Sequence, residues 1–88
     1  MQSTLNLLER ALELRPMPEW TERLHVHRNA LRNARNSGHL TPVLAGNLAL
    51  ELNEDPTPWM ALAVLEGEKA SPAKDMLMKR LGAQARKL

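Results

Sequence analysis

Three times in the second half of this chain a hydroxyl residue stands directly before a proline, at Thr41-Pro42, Thr57-Pro58 and Ser71-Pro72. Each pair has the form of a helix start. The hydroxyl can accept a hydrogen bond from a free N–H of the first turn, and proline, which lacks an N–H, loses nothing at the first helical position. A run of apolar residues at helical spacing follows each pair. Residues that favour strands are scarce, since Ile, Phe and Tyr are absent and only Trp20 and Trp59 are aromatic. The core must therefore come from Leu, Ala, Val and Met. The expected fold is all-α: a compact bundle of five or six short helices.

The first helix spans residues 3 to 14, with Ser3 or Thr4 as its cap and Leu5, Leu8 and Leu12 repeating along one stripe that Leu7, Ala11 and Leu14 widen. Pro16 and Pro18 end it, and Pro18 opens a second, short helix to Leu24. A third covers residues 28 to 35 and closes at Asn36, Ser37 and Gly38. The fourth, Pro42 to Leu52, is apolar nearly all round and should form the buried centre, with Gly46 allowing a neighbouring helix to approach. Asn53 to Pro56 is a loop. The fifth helix runs from Pro58 to about Lys69 and offers Trp59, Leu62, Ala63 and Leu65 or Glu66 inward. The last runs from Pro72 to about Ala83 and offers Ala73, Met76, Leu77 and Leu81, with a basic tail expected to fray from Gln84 to Leu88.

With 88 residues the chain has room for one domain, residues 1–88. Lacking Cys, it has neither disulfides nor thiolate chemistry, which suits a reducing cytoplasm. No run of about 18 apolar residues and no leader pattern occurs, so neither a membrane span nor export is expected. The net charge is only +2, but it is unevenly spread. Arg23 to Leu50 holds four Arg, all three His and no acid; residues 51 to 68 hold five acids and no base; residues 69 to 88 hold six bases against Asp75 alone.

The basic block coincides with the third helix, the second of the two in PEWTERLHVHRNALRNARNSG, Pro18 to Gly38, a stretch that has the layout of a helix-turn-helix with Trp20, Leu24, Val26, Leu31 and Ala34 inward. His25 stands where the chain must turn out of the second helix through a left-handed residue, and His is among the non-glycine residues enriched there. His27 stands at the cap of the third helix; its imidazole is either a phosphate or base contact or a solvated side chain. The third helix carries Arg28, Arg32 and Arg35 without an acid to pair with them, although a solvated face normally mixes signs. It also carries Asn29 and Asn33, poor helix formers. Arg matches guanine and Asn matches adenine in bidentate pairs. The candidate DNA-binding residues are His27, Arg28, Asn29, Arg32, Asn33, Arg35, Asn36 and His39.

The order of one helix, then a helix-turn-helix with Leu24, Val26 and Leu31 at its apolar positions, an Asn36-Ser37-Gly38 break and an apolar helix ending in LALELNEDP resembles the lambda-repressor-like DNA-binding domains of the Cro and XRE group. The resemblance covers about Leu5 to Leu65 and leaves an extension at about 71–83. It departs from the usual pattern at Trp20, Arg23 and His25, where Gln, a small residue and Gly are common. It implies a transcriptional regulator of repressor type, related to phages or prophages and nucleoid-associated in a bacterial host. Double-stranded DNA would be its partner, read in the major groove by Arg28 and Asn29 with Arg32 one turn on. Such domains bind as homodimers on two half-sites, and the segment from Trp59 to Leu81, with Leu65, Met78 and Leu81 left over from one small core, is the expected contact.

Enzymatic activity is not expected: no phosphate loop or nucleophile elbow is present. His25 and His27, two apart with no Cys or acid beside them, make a poor metal site, so neither metal nor cofactor is expected. The competing reading is a protein-interaction module that uses Met76, Leu77, Met78 and Leu81 on the last helix.

Overall fold

Six helices form in the computed structural model: α1 Thr4–Leu14, α2 Met17–Arg23, α3 Ala30–Ser37, α4 Pro42–Glu51, α5 Pro56–Gly67 and α6 Pro72–Lys87. The structure describes residues 3–87, with side chains as far as Leu81, and no strand occurs among them. The last helix runs on to Lys87, so the segment expected to fray from Gln84 is helical to that point; Leu88 lies outside the described residues.

Two of the three hydroxyl–proline pairs start helices. Thr41 Oγ1 accepts from the Leu44 N–H at 3.3 Å, and Ser71 Oγ accepts from the Lys74 N–H at 3.0 Å. The third start moves two residues upstream. Asp55 caps α5, its Oδ1 accepting from the Thr57 N–H at 3.0 Å, with Pro56 in the first helical position. A carboxylate suits the field of unpaired N–H groups, and Pro58 still falls in the first turn, where no intrahelical partner for its nitrogen exists.

α4 lies at the centre, packed along α5 and against α1, and α1 also touches α5. Gly46 permits this approach: a Cβ there would stand 2.9 Å from Met60 Sδ. Leu44, Ala45, Leu48 and Ala49 join Leu7, Leu8, Ala11, Trp20, Leu24, Leu31, Ala34, Leu40, Trp59, Leu62 and Ala63 in one buried cluster. The burial of α4 is incomplete, however. Val43 and Leu50 are 69% and 59% exposed, because none of the described residues of α6 joins the core to cover them. Leu65, expected to be left over, is buried; Met76 and Leu77, expected inward, are exposed. α5 fills the core without help from the described residues of α6.

Both tryptophans satisfy their indole N–H as they are buried. Trp20 Nε1 donates to the Ala11 carbonyl at 2.7 Å, holding α2 on α1, and Trp59 Nε1 donates to Glu54 Oε1 at 3.0 Å. The remaining tie is Thr4. Its hydroxyl accepts from the Leu40 N–H at 2.9 Å and donates to the Glu66 carboxylate, which also accepts from the Thr4 N–H at 3.2 Å. One side chain thus joins the start of α1, the link between α3 and α4, and the end of α5. Replacing Thr4 by Val keeps the shape but leaves the buried Leu40 N–H without an acceptor. We expect Thr4→Val to lose about 1–3 kcal/mol in urea unfolding, with Thr4→Ser closer to the parent; equal losses for the two would contradict this role.

Candidate nucleic-acid interface

The approach to α3 is set by the way α2 ends. The His25 N–H donates to the Glu22 carbonyl at 3.2 Å and the Val26 N–H to the Thr21 carbonyl at 3.1 Å, with His25 at φ 56°. This paired closure is a Schellman motif, with His25 as its left-handed residue and Val26 turned back toward the helix it has left. α4 ends in the same way, through Asn53 at φ 59°, with Asn53 N–H to Leu50 O and Glu54 N–H to Ala49 O. The abrupt end of α2 announces the left-handed residue at 25, whereas the sequence marks 53 only as loop.

The start of α3 differs from expectation. The helix begins at Ala30, not Arg28, and Arg28 and Asn29 occupy a turn before it. The Ala30 N–H closes that turn on the His27 carbonyl at 2.9 Å, and the Asn29 N–H donates to His27 Nδ1 at 3.1 Å. The imidazole therefore closes a side-chain turn two residues long, as Asn or Asp often does, while Asn29, the N-cap of α3, makes no capping bond with its own side chain. Because Nδ1 accepts, the neutral ring carries its proton on Nε2. His27 is exposed, and that N–H is a second donor beside the turn. Gly38, at φ 94°, closes the far end of α3 with its N–H on Ala34 O at 2.9 Å.

Leu31 and Ala34 point into the core, and Arg28, Arg32, Asn33, Arg35 and Asn36 are exposed, with Asn29 half-buried. Arg32, Arg35 and Asn36, spaced i, i+3 and i+4, line one open cleft of about 430 Å³ with Leu5, Leu8, Glu9 and Met17. Asn33 is not among its lining residues, and Arg28 and Asn29 sit one turn upstream. His39 is set apart: it is half-buried, and Nε2 would meet a Cβ on Gly67 at 3.6 Å, so the ring lies against the end of α5. A residue the sequence reading passed over is Asn47. It lines a second cleft of about 400 Å³ with Arg23, Leu24, His25, Leu50 and Glu51, beside the turn. Its signal was being polar in an otherwise apolar stretch of α4.

Two arginines are held in ion pairs. Arg10 pairs with Glu54 at 2.6 Å and lies 5.6 Å from the Trp59 ring centre; Arg23 pairs with Glu51 at 3.3 Å. Among the described residues, Arg28, Arg32 and Arg35 join no ion pair, although Glu9 shares their cleft. Arg10 and the Trp59 N–H hold the Glu54 carboxyl below its ordinary range against the opposing effect of burial. That lowered value adds stability above the ordinary carboxylate pKa, and the gain is lost as pH falls through it. No three His, Asp or Glu gather closely enough for a metal ion among the described residues, and no helix there is long and apolar enough to cross a membrane.

Comparison with known protein families, curated proteins and solved structures returns no match. The left-handed turn at His25 is open to direct test. A β-branched side chain fits φ 56° poorly, whereas Gly adopts it freely. We expect His25→Val to lose roughly 1–3 kcal/mol in thermal or urea unfolding and His25→Gly to change stability little; a harmless His25→Val would mean the turn takes another shape in solution.

Proposed function

We propose that this chain is a sequence-specific double-stranded DNA-binding regulator in which α2 and α3 act as a helix-turn-helix of the lambda-repressor-like kind. α3 and the turn before it enter the major groove. The observation that carries this reading is the clustering of three exposed arginines on and just before α3 with no acid paired to them; among the described residues Arg15 and Arg80 also pair with no acid but stand singly. Uncompensated guanidinium groups beside exposed amides suit a surface that meets phosphates and base edges together.

In this mechanism Arg28 and Asn29 read bases, Arg32 reaches the next step of the groove, and Arg35 and Asn36 meet the backbone. His27 adds its Nε2–H to a phosphate. One such helix spans few base pairs, so two copies occupy half-sites about 34–36 Å apart, related by a two-fold axis. A phage- or prophage-related repressor in the bacterial cytoplasm, acting on the nucleoid, is the setting that fits this architecture.

A second reading has its own observation. Met76 and Leu77 on α6 are exposed, which suits a protein-interaction module. Salt separates the two. On DNA, log K should fall with log salt by about 0.9 per phosphate contact, and Arg28→Ala or Asn29→Ala should cost about 1–3 kcal/mol on a selected site with a much smaller loss on random duplex. The check is fluorescence anisotropy at two salt concentrations, using a duplex obtained by sequence selection and a random one. A response that ignores salt, or no binding, would reject the DNA reading.

A further inference from the structure

The cleft that α3 shares with α1 and the start of α2 holds more than a phosphate contact needs. Its polar side carries the Arg32 and Arg35 guanidinium groups and the Asn36 amide, all exposed and close together on one side of the helix. Its other side is apolar. Leu5 on α1 and Met17 at the start of α2 are half-buried and pack against the core, and the buried Leu8 lines the cleft with them. A phosphate makes no use of such hydrocarbon. At about 430 Å³ the space falls within the roughly 300–1,000 Å³ of small-molecule sites, which combine an apolar lining with a few placed polar groups.

Glu9 is the one acid among the lining residues, and it pairs with neither arginine. Two guanidinium groups against one carboxylate leave one positive charge to balance.

We propose that this cleft binds a small organic carboxylate, a monoanion whose head group is held by Arg32 and Arg35 and whose apolar body covers Leu5 and Met17. The planar guanidinium offers paired N–H donors that match two carboxylate oxygens, so the head group is held with a defined direction. Covering Leu5 and Met17 removes hydrocarbon from water, a gain that inorganic phosphate and the DNA backbone do not supply. A monoanion cancels the charge of the cleft, whereas a dianion overshoots it and meets stronger repulsion from Glu9. Arg32 and Arg35 belong also to the proposed DNA surface, so carboxylate and duplex compete for them and an occupied cleft lowers DNA affinity. That consequence rests on the DNA reading; the site itself does not.

Sodium octanoate is the probe, titrated without DNA into protein with isotopically labelled methyl groups. We expect saturable shifts of the Leu5 and Met17 methyl signals. Octanol, which lacks the charge, and acetate, which lacks the apolar body, should each bind about tenfold more weakly. Arg32→Gln and Arg35→Gln, both at exposed positions, should keep the helical circular dichroism and each weaken octanoate about tenfold, and Glu9→Gln should tighten it. Arg28→Gln, upstream of the cleft and outside its lining, should leave octanoate binding unaltered. Octanol that binds as well as octanoate, or octanoate binding that survives both arginine substitutions, would overturn the site. Octanoate should also release a fluorescent duplex at an ionic strength matched with sodium acetate. A protein that holds octanoate and duplex together would overturn the competition, and one that takes octanoate but no duplex would overturn the DNA reading and support the site.

Discussion

The hydroxyl of Thr4 is the point on which the arrangement of helices depends. It sits in a buried junction, taking the Leu40 N–H and giving its own proton to Glu66, so residues 36 and 62 positions away in sequence are fixed to the start of α1. A neutral hydrogen bond contributes about 1 kcal/mol net, but leaving a buried N–H unpaired costs more, which makes such a junction exacting about geometry. Leu40 stands two residues after the left-handed Gly38 that ends α3. The same bond that closes the core thereby anchors the C-terminal end of the proposed recognition helix. At the other end the Schellman closure through His25 and the bond from the Asn29 N–H to His27 Nδ1 set the chain's approach, and Trp20 holds α2 to α1 through Ala11. α3 is thus fixed from both sides, and its outer face is left free for contact.

Charge is distributed to the same effect. Acids near the core are occupied: Glu54 with Arg10 and Trp59, Glu51 with Arg23, and Glu66 with Thr4. Each occupied acid is one that cannot neutralise α3. A net charge of +2 would draw a polyanion only weakly, yet residues 23–50 gather four arginines with no acid among them. The proposed function rests on this local imbalance rather than on the overall charge.

The all-helical class and most of the core were legible because apolar spacing, proline and capping residues act locally. The inward residues Leu8, Leu31, Ala34, Leu62 and Ala63 follow from periodicity alone, and Gly46 and His25 follow from what their positions demand of a backbone. What could not be read depends on contacts distant in sequence. Asp55 displaced Thr57 as the cap because two acceptable starts lay two residues apart and the carboxylate prevailed. Thr4 looked like a cap and proved to be a junction, since nothing nearby in sequence announces Leu40 or Glu66. His39 stands with His27 among the candidate residues, yet its ring lies against α5. Periodicity made α4 a fully buried centre and α6 a covering helix; the outward set of α6 leaves Val43, Leu50, Met76 and Leu77 in solvent.

The central claim is that α3 and the turn before it, held by this frame, form the surface that meets DNA. Amide-resolved NMR of isotopically labelled protein, titrated with a duplex at low salt, addresses that claim residue by residue. The account expects the largest shift changes from His27 to Asn36, with those of α6 small. Changes centred on α6, with residues 27–36 unmoved, would contradict it.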